Sequence, residues 1–306
     1  MLDNINKNTV DFIPNFDDTV KEPSVLPSYF PNLLANGSYG IAVGMSCSIP
    51  PHNVYDVYLA LDYMIQCIIN GEDYEEDKII DIVKAPDFPT GGIIIYDDNI
   101  KKGYKTGRGS VNIKAKCDIE NKNDKFYIVV DEIPYAVNKS TLVSKIDDLR
   151  SSKIPEIKKV CDESNKEGTR IVIELKKNEN PNLVLAKLYK FTQLKSSVSM
   201  NFTVLNNGKP VIASLQYILE NFIIHSKNIL TRTIQYDLNK ANNRKHILEG
   251  ISKCLDNIDE VIKVIKQSKD NQDTIKQLIE HFELSEIQAK AIADTKLKTL
   301  NRMSKE

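Results

Sequence analysis

After Pro210 the chain contains no further proline and a single glycine, Gly250. Proline removes a backbone donor and clashes with the preceding turn, so its absence licenses very long helices. The apolar residues supply the matching period. Leu215, Ile218 and Phe222 open it, Leu230, Ile234, Leu238 and Ala241 extend it, and Leu248, Ile251, Leu255, Ile258, Ile262 and Ile265 recur at alternating steps of three and four. Such spacing predicts the seam of a coiled coil or bundle. Asn257-Ile-Asp-Glu260 and Ser285-Glu-Ile-Gln288 each place a short polar residue three positions before an acid or amide, so shorter capped helices are expected after the long one.

Upstream of Pro210 the period changes. Residues 92–96, 110–119, 125–131 and 169–176 are β-branched, partly alternating runs bounded by Gly, Asn and Asp, and read as strands. Residues 138–152 read as a helix with Leu142, Ile146 and Leu149 on one face, and residues 54–69 as another, which Asn53 caps and Asn70-Gly71 stops. Residues 197–205 and 209–213 flank Asn206-Asn-Gly208, a strong hairpin signal. The acidic run at 72–77 reads as a solvated connection and helix start. Before all of this, Pro14, Pro23, Pro27 and Pro31 forbid a long helix in residues 1–32 and favour an extended strap. The expected class is α+β, followed by long helix.

Residues 33–53, LLANGSYGIAVGMSCSIPPHN, form an apolar run broken by Gly37, Gly40 and Gly44 and closed by Pro50-Pro51. The glycines permit sharp backbone turns around Ile41. Spacing alone leaves two readings open: a buried turn with Ile41 as core, or a protruding apolar wedge that enters a bent duplex between base steps.

The net charge of −1, with 41% hydrophobic and 27% charged residues, describes a globular protein without a wholesale basic footprint. Contact with nucleic acid must therefore come from local patches. Lys101, Lys102, Lys105, Arg108, Lys114 and Lys116 occur with no acid between residues 100 and 117, and Gly103, Gly107 and Gly109 would leave amides open there. That run suits phosphate attachment as well as it suits a solvated strand. A second cluster, Lys139, Lys145, Arg150, Lys153, Lys158 and Lys159, is diluted by Asp147, Asp148 and Glu156.

The five cysteines are widely spaced, with no C-x-x-C pair, and read as reduced thiols of a cytosolic protein, with neither zinc site nor disulfide framework. The sequence predicts no secretion signal and no membrane span. His52, His225, His246 and His281 have no nucleophile or ligand at suggestive spacing, and no G-x-x-x-x-G-K-[ST] loop for ATP occurs. Asp131-Glu132 and Asp162-Glu163 are neighbours that would point to opposite faces of a strand.

The stretch of the form N-G-x-x-G-I-x-x-G followed by I-P-P-H-N resembles the A subunit of bacterial type IIA DNA topoisomerases, the group of gyrase and topoisomerase IV. Further similar motifs follow in order: Thr9-Val-Asp-Phe12, Asn15-Phe-Asp-Asp18, Glu22-Pro23 with Leu26-Pro27, Pro86-Asp-Phe-Pro-Thr90, Thr106-Gly-Arg-Gly109, Glu132-Ile-Pro-Tyr135 with Val137-Asn-Lys139, Asp162-Glu-Ser164 and His246-Ile-Leu-Glu-Gly250. The resemblance implies that Ile41 intercalates into the DNA to be cut, and so favours the wedge. The candidate DNA contacts are then Ser38, Gly40 and Ile41 of this loop, Lys105 and Arg108 of the basic run, and Lys139, which follows the family's Glu-Ile-Pro-Tyr turn.

The same resemblance implies a division into a strap and wedge loop (residues 1–53), an α+β tower beside the DNA gate (54–212), and a coiled-coil arm with exit-gate helices (213–306). The cleaving tyrosine of the family follows an arginine in an upstream winged-helix domain. None of the 13 tyrosines here follows an arginine, so Met1 is expected to be an internal methionine and the chain a fragment without a catalytic residue or metal site of its own. Mg²⁺ and ATP would come through the partner B subunit, with two A subunits in an A2B2 heterotetramer on double-stranded DNA. The returning helix of the arm is expected to begin near residues 297–300. Asp11-Phe-Ile-Pro-Asn-Phe-Asp-Asp18 leans to topoisomerase IV and Gly40-Ile-Ala-Val-Gly-Met45 to gyrase, with a slight preference for the former. His225-Ser226-Lys227 departs from the family's His-Arg-Arg. Two other classes remain: a non-catalytic DNA-bending or coiled-coil scaffold protein, which an upstream Arg-Tyr winged helix would exclude, and a pure dimerisation module, which would self-associate without salt-dependent duplex binding.

Overall fold

The computed structural model describes residues 1–122, 125–166, 168–206 and 208–294, and the expected returning helix near 297–300 lies outside them. The chain is α+β and divides into two compact units: Tyr29–His225, and Met1–Ser28 together with the chain from Ser226 onward.

The second of these units opens with a small hairpin of β1 (Phe12–Pro14) and β2 (Lys21–Pro23), the strap that the prolines predict.

In the Tyr29–His225 unit a single turn of helix, α1 (Asn32–Ala35), leads into the hairpin β3 (Ser38–Ala42) and β4 (Met45–Ile49). Two helices follow, α2 (Val54–Asn70) and α3 (Glu76–Val83). The Asn53 side chain accepts from Tyr55 N and Gly71 closes α2 in the left-handed region, as the sequence predicts. Then come β5 (Ile93–Ile95), α4 (Asp98–Thr106), β6 (Arg108–Lys114), β7 (Lys116–Lys122), β8 (Lys125–Glu132), α5 (Lys139–Arg150), β9 (Ile157–Asp162), β10 (Ile171–Leu175), α6 (Pro181–Phe191), β11 (Lys195–Asn201), β12 (Thr203–Asn206) and β13 (Lys209–Ile212).

Two sheets organise these elements. The first has the order β3-β4-β11-β6-β5 and the second β7-β8-β10-β9, and their pairings are antiparallel. Val111, Ile113 and Met200 turn one face of the first sheet into a core shared with Met64 of α2, Ile80 of α3, and Ile100 and Tyr104 of α4. The second sheet buries Ile128, Val130, Ile171 and Ile173 beneath α5 and α6, through Leu142, Ile146, Val184 and Leu188. The hairpin signal at Asn206 is realised as the β12–β13 pair, Asn206 opposite Lys209, with residue 207 outside the described chain.

Three expectations need correction. The run at 110–119 is two strands rather than one, because the alternating pattern passes from the first sheet to the second at buried Ala115, whose amide donates to Leu194 O at 2.7 Å. The first half of the basic run, Lys101 to Lys105, is a helix: Asp97 caps Asn99 N, and Ile100, Gly103 and Tyr104 make a buried i, i+3, i+4 stripe. Its glycines do not offer open amides, since Gly103 and Gly107 are buried and Gly103 packs against Met200 and Gly109. Finally, a separate helix does begin after Asn257 as its box predicts, but the capping bond expected there is not made. The 42-residue α7 (Leu215–Asp256) ends at Asn257, and Ile258 starts the next helix.

In the unit that contains the chain from Ser226 onward, α7 is followed by α8 (Ile258–Gln267), α9 (Asn271–Phe282) and α10 (Glu286–Ala293). These bury Ile251, Cys254, Val261, Leu278 and Ile292 in one cluster. The Ser285–Gln288 capping box is fully formed, with Gln288 N donating to Ser285 Oγ and Ser285 N to Gln288 Oε1. Leu230, Ile234 and Leu238 remain exposed along α7. Among the described residues no helix is long and apolar enough to cross a membrane.

Candidate nucleic-acid interface

The hairpin β3–β4 carries Ile41 in its strand, three residues before Gly44, rather than at the turn itself. Ile41 is 77% exposed and Val43, at the tip, fully so, which excludes a core role for either. At its base the hairpin is pinned. Leu34 O accepts His52 N at 2.8 Å, and a Cβ at Gly37, φ +71°, would run into Ile49 O and the Pro50-Pro51 backbone. On its flank, β4 joins β11 through one register pair, Ser48 with Asn201, reinforced by Asn201 Nδ2 donating to Ser46 O and Ser48 Oγ donating to Ser199 O, both at 2.7 Å. The last residues, 41–45, lie beyond that pairing, with Ile41, Ala42 and Met45 lining a shallow groove together with Thr203, Val204, Leu205 and Pro210.

Strand register decides which side chains accompany Ile41. Residues paired across an antiparallel sheet share a face, and alternate residues along a strand return to it. Ile41 opposes Ser46, Tyr39 opposes Ser48, and Ser48 opposes Asn201. Asn201, Ser199, Ser197 and Lys195 in turn oppose Arg108, Ser110, Asn112 and Lys114. The face turned away from the core is therefore a ladder of hydroxyls, amides and cations with Tyr39 and Ile41 at one end. No strand position of this ladder on β3, β4, β11 or β6 is an acid. Asp97 meets only its edge, accepting from Asn112 Nδ2 at 3.2 Å. Arg108, Lys114 and Lys195 form no ion pair among the described residues, so their charges are available to a polyanion.

The residues singled out from the sequence thus separate. Ile41 and Arg108 lie on this face. Ser38 and Gly40 belong to β3 but alternate to its other side, where Cys47 Sγ donates to Ser38 O. Lys105 sits on α4 and pairs with Asp77 of α3 at 2.5 Å, an interaction that raises the lysine's pKa and lowers the aspartate's. Lys101 and Lys116 likewise meet Asp81 and Glu132 at 3.7 and 3.6 Å. The acid-free stretch of sequence is therefore supplied with carboxylates by neighbouring elements. Lys139, the first residue of α5, pairs with Asp162 at 2.9 Å, and that ammonium together with Ser164 holds the Asp162 carboxyl down to about 2. In the second basic cluster, Lys158 pairs with Glu174 and Arg150 with Asp147.

Sequence reasoning missed Ser46, Ser48, Lys195, Ser197, Ser199 and Asn201. A signal existed in the alternation of 108–114 and, apart from Ser196, of 195–201, where every second residue is polar. It lacked only the pairing that sets the two strands side by side.

Among the described residues no group of three or more His, Cys, Asp or Glu side chains is assembled that could hold a metal ion.

Known proteins match over the whole chain. Residues 1–306 match the family model for the A subunit of DNA gyrase/topoisomerase IV. The chain is 45% identical over 307 residues to a DNA gyrase A subunit of Helicobacter pylori strain J99, which takes in 100% of this chain and 37% of that protein. It is 46% identical over 311 residues to the DNA gyrase A subunit of Clostridium acetobutylicum, with the same shares. It is 44% identical over 299 residues to the A subunit of DNA topoisomerase 4 from Bacillus subtilis strain 168, covering 97% of this chain and 37% of that one. The chain spans little more than a third of the length of these relatives. By sequence along its whole length, the chain belongs to the family of DNA gyrase/topoisomerase IV A subunits.

Proposed function

We propose that this chain is the duplex-gripping and bending part of the DNA breakage-reunion subunit of a cytoplasmic, ATP-dependent type II topoisomerase. The observation that carries the proposal is the open sheet face, where an exposed isoleucine stands at the end of a ladder of cations and hydrogen-bond donors without an acid. Phosphate oxygens would be held by Arg108, Lys114 and Lys195, and by the hydroxyls and amides between them, contacts that position a duplex without reading its sequence. Ile41 would then enter a base step.

The energies require the two to act together. Burying an isoleucine contributes roughly 1.5–3 kcal/mol, while unstacking a base step costs a few kcal/mol. The wedge alone is near break-even. Release of counterions along the ladder supplies the remainder and so holds the bend.

In the complete enzyme, Mg²⁺ and ATP would be handled by the B subunit, two A subunits would meet in an A2B2 heterotetramer, and one duplex would be carried through a transient break in another. This chain's residues bind, bend and gate. Relatives at 44–46% identity bear both the gyrase and the topoisomerase IV name, so the function is stated as the activity the two share.

The test is Ile41→Ala in the complete A subunit, with dyes at the two ends of a short duplex. The expected result is weaker energy transfer and less cleavage with an unchanged thermal midpoint. Undiminished bending would refute the wedge.

A further inference from the structure

His52 is 3% exposed, is not part of the duplex-facing ladder, and is nonetheless fully hydrogen-bonded. Its Nδ1 lies 3.2 Å from Leu34 O and its Nε2 lies 3.0 Å from the Tyr104 hydroxyl. A carbonyl oxygen only accepts, so Nδ1 carries the ring proton. Nε2 is then a bare acceptor, and the buried Tyr104 hydroxyl donates to it. One tautomer satisfies both bonds. Burial also keeps the ring neutral, pushing its pKa down to about 4.

The two partners belong to different parts of the candidate interface. Leu34 and His52 flank the β3–β4 hairpin, and Leu34 O receives both the backbone amide and the ring of His52. Tyr104 lies on α4, which packs on the inner face of the first sheet and runs through Gly107 into Arg108, the first residue of β6. The ring therefore ties the root of the wedge to the element that begins the cationic strand. At the same root Gly37 lies so close to the Ile49–Pro51 backbone that no side chain fits there. Because β4 and β11 share one register pair, the angle at which the hairpin leaves the sheet is set by contacts outside the ladder, namely the side-chain bonds at its root and the packing of β4 beside β12.

We propose that His52 and Tyr104 are positioning residues for the wedge: their buried hydrogen bond sets the aim of the Ile41 hairpin relative to the cationic strand of the first sheet. Neither touches DNA. The proposal rests on the bending function argued above and adds to it a part that acts from inside the fold.

The experiment compares Tyr104→Phe, His52→Asn and Ile41→Ala in the complete A subunit. Tyr104→Phe keeps the ring and removes the donor. His52→Asn keeps a donor toward Leu34 O and removes the acceptor facing Tyr104. A single hydrogen bond of ordinary net strength corresponds to about a two- to tenfold change in a conformational ratio. Both variants should lower the ratio of bent to unbent duplex by about that factor while duplex affinity stays within about twofold. In Tyr104→Phe the ¹⁵N resonance of His52 Nε2 should also move toward that of an unbonded acceptor nitrogen, a signature that general loosening of the fold would not produce. Undiminished bending in a folded Tyr104→Phe variant, with reduced bending in Ile41→Ala, overturns the positioning role and leaves the wedge standing. If Ile41→Ala also bends DNA normally, the wedge reading fails and the positioning role with it. Should Tyr104→Phe not fold, His52→Asn decides by the same bending criterion.

Discussion

Gly37 and Gly40 lie three residues apart at the start of one hairpin, yet the structure makes opposite demands on them. Gly37 has φ +71° and backbone packed where a Cβ would go, while nothing lies within 4 Å of a Cβ placed at Gly40. Gly37→Ala should destabilise the chain by more than about 1 kcal/mol, since both strain and collision oppose it. Gly40→Ala should leave stability unchanged or slightly raised. Denaturant midpoints of the two variants check the contrast. His52 gives a second prediction at this scale. An unfolded chain takes a proton onto this ring below about pH 6.5, whereas the folded chain resists until about 4. Protonation thus favours the unfolded state, and stability should fall from about pH 6.5 toward 4 by about 3 kcal/mol in all. His52→Asn should be less stable at neutral pH and lack that slope. Asp162 acts in a separate window. Its carboxyl is held near 2 by Lys139 and Ser164, so its contribution is complete above about pH 4 and is lost as pH falls from there toward 2. The glycines and the isoleucine were visible in the sequence as a pattern. The role of His52 was not, because a lone histidine has no spacing to betray a partner 52 positions away.

At the scale of the element, legibility followed the length of the periodic signal. The α2 helix, the α5 helix and the long α7 announced themselves through apolar stripes, joined in α2 by its caps. The nine-residue α4 did not, since its buried stripe consists of Ile100, Gly103 and Tyr104 within a run of lysines, and glycines argue locally for a loop. Two similar capping signals also had different fates. Ser285 is used in full: its Oγ accepts from Gln288 N and lies 2.6 Å from His246 Nε2, and Gln288 Nε2 donates to His246 O at 2.8 Å. Asn257 makes no such bond. A capping box shows its partners only after neighbouring helices arrive. Ser285→Ala should cost about 1 kcal/mol, while Asn257→Ala should change stability by a few tenths at most. Thermal melts of the two variants distinguish them.

For the molecule as a whole, net charge concealed more than it revealed. A chain at −1 looks indifferent to DNA, but antiparallel register gathers Arg108, Lys114 and Lys195 on one acid-free face while Lys101, Lys105, Lys116 and Lys139 are spent on carboxylates elsewhere. Sequence supplied the α+β class and the family motifs. It could not supply the strand order β3-β4-β11-β6-β5, in which β4 and β11 meet across some 150 residues of intervening chain. If the face grips phosphate, changing each of Arg108, Lys114 and Lys195 to Gln should lower the slope of log affinity against log salt by about 0.9. Lys105→Gln should lower it less, because Asp77 already occupies that charge. Duplex titrations at several salt concentrations measure the difference.

The strand that changes sheets at Ala115 has a mechanical consequence. One covalent run, from Arg108 to Lys122, serves as a middle plank of the first sheet and then as an edge plank of the second, and the joint at Ala115 is sealed from water and hydrogen-bonded to Leu194. Tension applied at Arg108 is thereby carried along peptide bonds into the neighbouring layer instead of being dissipated at a soft joint. The amide of Ala115 should exchange with deuterium as slowly as those of Val111 and Ile128, marking the two layers as a single stiff beam.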